Sequence, residues 1–190
     1  MINVVSGLST RVRAEILDKA PLSGVFTEVE YDARGDCLWV KFTEDDLTEW
    51  CGVFGQGGFN VNEVLVHNRL NQVLVIAGGV GYWVDLNTRE LIGEIDLFPT
   101  LTAIWPDELD FAILANWTNV FFASGSEQLW RSERVSLDDL SVDSYSDRVV
   151  HGRGYDTGFK QFRFSINVDS REVRGIPEDI RELGRLLGRM

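Results

Sequence analysis

From about residue 25 to residue 170 the chain is a succession of short apolar runs, each closed by residues that favour turns, and this pattern constrains the fold more than any other feature. A half-buried strand shows apolar–polar alternation, and a fully buried one shows a short continuous apolar run. Residues 26–31 alternate, Ala33, Arg34, Gly35 and Asp36 make a turn, and residues 37–42 return, which predicts a β-hairpin. Residues 63–66, 73–77, 82–86 and 90–95, with turns at 67–71, 78–81 and 87–89, predict a meander of four strands. Residues 101–105, 111–115, 120–123 and 128–131 repeat that layout. The run 160–169 places Phe162, Phe164, Ile166 and Val168 on one face. The expected fold class is mainly β, an antiparallel meander of short strands over residues 25–170.

The repetition has a spacing. An ungapped shift of 38 residues lays Val73 on Phe111, Ala77 on Ala115, Trp83 on Phe121, Val84 on Phe122 and Leu91 on Leu129; a further 38 brings Val149 under Phe111 and Phe159 under Phe121. Residues 37–42 sit about 36 before Val73. A unit of this length with four strands matches the blade of a radial β-repeat. With its inner run from Gly81 through Trp83, Asp85, Leu86 and Thr88 to Leu91, the chain resembles a β-propeller. That resemblance implies propeller-like units, three or four of them, and a scaffold rather than an activity. The alternative architecture is a β-sandwich or a curved open sheet.

The ends read differently. Residues 9–20 suit a short N-terminal helix, with Ser9 or Thr10 as cap, Val12, Ile16 and Leu17 on one face, and Pro21 as the stop. Residues 177–188 suit a C-terminal helix, with Pro177, Glu178 and Asp179 in the first turn and arginines later, matching the helix dipole. At 190 residues the chain reads as one domain, 1–190, large enough to bury its own core.

Charge narrows the partners. The net charge is −12, and residues 1–150 carry 24 acidic and 10 basic side chains, a net of −14, whereas residues 151–190 carry 6 and 8, a net of +2. Phosphate backbones are bound by Lys and Arg, so this distribution argues against nucleic acid and suits a basic protein partner. The N-terminal residues lack the apolar core of a secretory signal, and no apolar run approaches the roughly 20 residues of a membrane-spanning helix. A cytoplasmic location with no membrane partner is expected, with Cys37 and Cys51 as free thiols.

Candidate chemistry is sparse. His67, flanked by Asn68 and Arg69, reads as an exposed turn residue. His151, Arg153, Tyr155 and Asp156 cluster with two glycines in a predicted loop that could hold an anion, with Arg153 as a two-pronged donor. The glycines from Gly52 to Gly58 lack the Lys-Ser/Thr of a phosphate loop and read as a turn between β units. Arg34, Gly35 and Asp36 read as a hairpin turn. Glu44, Asp45 and Asp46, like Asp107, Glu108 and Asp110, lack calcium-loop spacing and read as solvated acidic loops. Trp39, Trp83 and Trp105 lie in apolar runs, whereas Trp50 sits at a loop end and Trp117 in a predicted turn between Asn116 and Thr118, where an exposed aromatic would anchor a partner. No catalytic residue, metal site or cofactor follows. The function these features favour is a non-catalytic protein-binding module, an inhibitor or immunity-type protein for a basic partner, using Trp50, Trp117 and the acidic loop Glu44, Asp45 and Asp46. The alternative is a small-ligand-binding protein or enzyme using His151, Arg153, Tyr155 and Asp156.

Overall fold

The computed structural model describes residues 11–95 and 97–188, and it is mainly β. Among the described residues sixteen strands form four sheets of four. The first sheet contains β1 (Arg13–Leu17), β2 (Thr27–Tyr31), β3 (Cys37–Thr43) and β4 (Glu49–Gly55). The second is the meander β5 (Asn62–His67), β6 (Gln72–Ala77), β7 (Val80–Asp85) and β8 (Leu91–Ile95). The third is the meander β9 (Thr102–Ile104), β10 (Ala112–Ala115), β11 (Val120–Ser124) and β12 (Glu127–Arg131), and the fourth is β13 (Ser141–Ser146), β14 (Val149–Tyr155), β15 (Gln161–Asn167) and β16 (Val173–Arg174). Among the described residues one helix, α1 (Glu178–Leu187), follows.

The sheets stack in chain order through three buried clusters. Leu38, Val40, Phe42, Trp50 and Phe54 of the first sheet meet Val73, Val75, Tyr82 and Val84 of the second. From the opposite face of the second sheet, Leu74, Ile76 and Trp83 meet Ala112, Leu114 and Phe121 of the third. Ile113, Ala115 and Phe122 then meet Val150, Phe164 and Ile166 of the fourth. The middle sheets are therefore covered on both faces, which is why β6 and β10 read as continuous apolar runs rather than alternating ones.

Three expectations are corrected. Residues 13–17 form strand β1, not a helix; the rest of the expected helix includes Ser9 and Thr10, which lie outside the described residues. Val12, Ala14 and Ile16 also recur at a period of two, and pairing along the open edge of β3 decides between the two periods. The hairpin of residues 26–31 with 37–42 does not form. Strand β4 lies between the two, antiparallel to β3 and parallel to β2, so the first sheet runs β1-β3-β4-β2.

The third correction concerns the repeat. In the second sheet Ile76 and Trp83 face the third, and in the third Ala115 and Phe122 face the fourth, so the units correspond under a shift of 39. The shift of 38 pairs Trp83 with Phe121, which point into the same cluster from opposing sheets. A one-residue slip exchanges the faces of a strand, so the frame of 38 is inverted. Likewise, Phe159 is no strand residue but an exposed residue of the β14–β15 turn.

Candidate functional site

Each meander returns to the same end, so one rim gathers the β4–β5, β8–β9 and β12–β13 links with the β6–β7 and β10–β11 turns. Backbone hydrogen bonds tie them together. Gly57 N–H donates to Ala77 O (3.1 Å), Thr100 N–H to Gly79 O (2.8 Å), Leu101 N–H to Ala115 O (2.8 Å) and Leu140 N–H to Trp117 O (3.3 Å).

Three aromatic rings converge on this rim. Phe59, from the β4–β5 link, meets Phe98, from the β8–β9 link, edge-on at 5.1 Å, and meets Trp117, from the β10–β11 turn, at 5.7 Å. Phe98 is 57% exposed and Trp117 38% exposed. Their seat requires glycine. A Cβ at Gly57 would stand 2.4 Å from Gly78 O and 2.7 Å from the Phe98 ring, and Gly78 itself has φ +58°. Trp117 is positioned by Asn116, whose Oδ1 accepts from the N–H groups of Thr118 and Asn119. Exposed Asp138 and Asp139 stand in the link that bonds to Trp117, and exposed Asp36, whose carbonyl accepts from Gln56 N–H, stands beyond Phe59. The geometry is that of a small apolar platform on the rim.

The expected site residues are scattered over the molecule. Trp50 is fully buried, stacked on Phe42 at 4.2 Å with the Arg89 guanidinium 5.1 Å from its ring, so it offers a partner no surface. Glu44, Asp45 and Asp46 lie at the opposite rim from Trp117, and each has a local task. Glu44 pairs with Arg89 at 2.9 Å, Asp45 accepts from Arg11 N–H at 2.8 Å, and Asp46 accepts from Thr48 N–H at 2.8 Å. That last bond holds the Asp46 carboxyl below the usual carboxylate range.

His151, Arg153 and Tyr155 belong to strand β14, not to a loop. His151 and Arg153 are exposed on the outer face of the fourth sheet. Arg153 is occupied by Asp143 through two bonds of 2.8 and 2.9 Å, which lower the Asp143 carboxyl and raise the guanidinium. Tyr155 accepts from Gln161 Nε2 at 3.3 Å, while Asp156 organises the next turn through the N–H groups of Gly158 and Lys160.

His67 is fully buried, contrary to the exposed turn expected of it. Its Nδ1 accepts from Leu70 N–H at 3.3 Å, and its ring lies 4.8 Å from that of Trp105. Among the described residues no group of three or more His, Cys, Asp or Glu could hold a metal ion. No described helix is long and apolar enough to cross a membrane.

Cys37 and Cys51 are both free. Cys51 pairs across the ladder with Lys41, four residues along β3 from Cys37, so the two lie about 13 Å apart at ~3.3 Å per residue. Disulfide geometry needs less than about 7 Å between Cα atoms. Burial pushes the Cys51 thiol up to about 11, and Cys37 is raised by burial and by Glu30 and Asp36.

Sequence reasoning found Trp117 and missed Phe59 and Phe98. The available signal was a large aromatic in two of the three links between β units, Phe59 and Phe98, where polar residues are the norm. A scan against protein-family models finds no match to this chain, and a search of curated proteins finds none similar to it.

Proposed function

We propose that the protein is a non-catalytic protein-binding module, of the kind an inhibitor or immunity protein represents, that engages a basic partner through this rim. The four stacked sheets serve as a propeller-like scaffold, each unit continuous in sequence and packed on the next. The observation that carries the reading is the Phe59–Phe98–Trp117 cluster, since large aromatics at the centre of a patch are the residues that dominate binding energies. The net charge of −12 favours a basic surface opposite and would speed its approach.

The test is affinity capture from the source cell with wild type and with Phe98→Ser/Trp117→Ser. Removing one anchoring aromatic costs about 2 kcal/mol, roughly 30-fold in affinity, so the double variant should lose the basic polypeptides that the wild type retains. An unchanged set of captured proteins overturns the proposal.

A further inference from the structure

We infer that the cleft between α1 and the outer strands β12 and β16 binds a small phosphate monoester with an aromatic or apolar body. The cleft encloses about 370 Å³ and is lined by Arg131, Arg134, Arg171, Arg181 and Arg185, together with Glu133. Trp130, Val173 and Ile176 form its apolar wall. A second cavity of about 510 Å³ adjoins it and shares Arg131, Arg134 and Arg185.

The pairing of these arginines is what singles the place out. In a chain with 30 acidic and 18 basic side chains, carboxylates are in excess, and among the described residues seven arginines find one within 4.0 Å. Of the five in the cleft only Arg185 does, with Glu178 at 3.1 Å. Arg131 is held by neutral partners, donating to Asn119 Oδ1 at 3.1 Å and lying 5.3 Å from the Phe121 ring. Arg134 donates from Nη2 to Leu137 O at 2.8 Å, while its Nε is buried with no hydrogen-bond partner. Such contacts position guanidinium groups without neutralising them. Arg181 and Arg185 lie four residues apart on one face of α1, adding like charge to like.

An anion in the cleft would offset that repulsion. A phosphate monoester carries roughly −1.5 to −2 charges and three acceptor oxygens, enough for several guanidinium forks, whereas a carboxylate offers two oxygens. The apolar wall suits the rest of the molecule, and the volume falls in the range of about 300–1,000 Å³ usual for small-ligand pockets. This site borders the rim through Glu133 and Arg134 of the β12–β13 link, but its lining includes none of Phe59, Phe98 and Trp117, and its test needs no protein partner.

The experiment is calorimetric titration of the whole chain with phenyl phosphate and with inorganic phosphate. Phenyl phosphate should bind at one saturable site, about tenfold tighter than inorganic phosphate. Arg171→Ala and Arg181→Ala should each weaken both anions by about tenfold or more, the loss of one charge-assisted hydrogen bond. Trp130→Ala should weaken phenyl phosphate alone. Arg163→Ala, on the outer face of the fourth sheet, should change neither. No saturable heat with either anion, equal affinity for the two, or an Arg163→Ala effect matching that of Arg181→Ala would each overturn the inference.

Discussion

Replacing Trp83 by alanine should cost about 4 kcal/mol of folding stability, near the middle of the range of roughly 3–5 kcal/mol for large aromatic truncations in cores. Trp83 is fully buried between the second and third sheets, 4.4 Å from the Trp105 ring. Its indole N–H donates to Gln72 Oε1 at 2.9 Å, and losing that bond accounts for about 1 kcal/mol of this cost. Neighbours on both sides belong to packed sheets, which limits collapse into the void. Against a total stability of roughly 5–15 kcal/mol this is a large fraction. With a urea slope of about 2 kcal/mol/M the midpoint should fall by about 2 M, followed by far-UV circular dichroism. Trp117→Ala, on the exposed rim, should move the midpoint by less than about 0.5 M on the same slope. Equal shifts for the two tryptophans would refute the stacking of the second sheet on the third.

Glu63 is raised from 4.5 by burial, against a backbone hydrogen bond from Ala103, so its ionised form is disfavoured in the fold. That penalty is absent below pH 4.5 and complete above the raised value; Glu63→Gln should match the wild type at pH 4 and exceed its stability at pH 7, read by urea midpoints. Both thiols should react slowly with a disulfide reagent at pH 8 and fully in denaturant, where two should titrate, Cys51 being held up at about 11 in the fold. Glu44→Lys should lower stability by about 1 kcal/mol, because the Glu44–Arg89 pair steadies the guanidinium stacked over Trp50, whereas Asp107→Lys, on an exposed loop, should stay within about 0.5 kcal/mol.

The β character and the meanders of the second and third sheets were legible because runs such as 73–77 and 82–86 alternate with turns of recognisable chemistry. The C-terminal helix was legible from its charge order, and α1 ends at Leu187. What failed were features set by distant partners. Residues 13–17 carry both a helical and a strand period, and only the edge of β3 decides between them. Pairing β2 with β4 instead of β3 exchanges one local partner for another and leaves no mark in the alternation of either. The repeat spacing failed by one residue because the β6–β7 ladder closes through two residues and the β10–β11 ladder through four, a difference hidden when both runs are wholly apolar. Trp50, at a loop end, and Trp117, in a turn, both read as surface aromatics; the first turns into the core and the second onto the rim.

The most direct test of the binding account places a photo-crosslinking phenylalanine analogue at position 98 in the source cell. Position 47 is the control, since Leu47 is 77% exposed at the opposite rim. The account predicts an adduct with a basic polypeptide from position 98, diminished by Trp117→Ser, and none from position 47. Adducts of the same polypeptide from both positions, or from 47 alone, would contradict it.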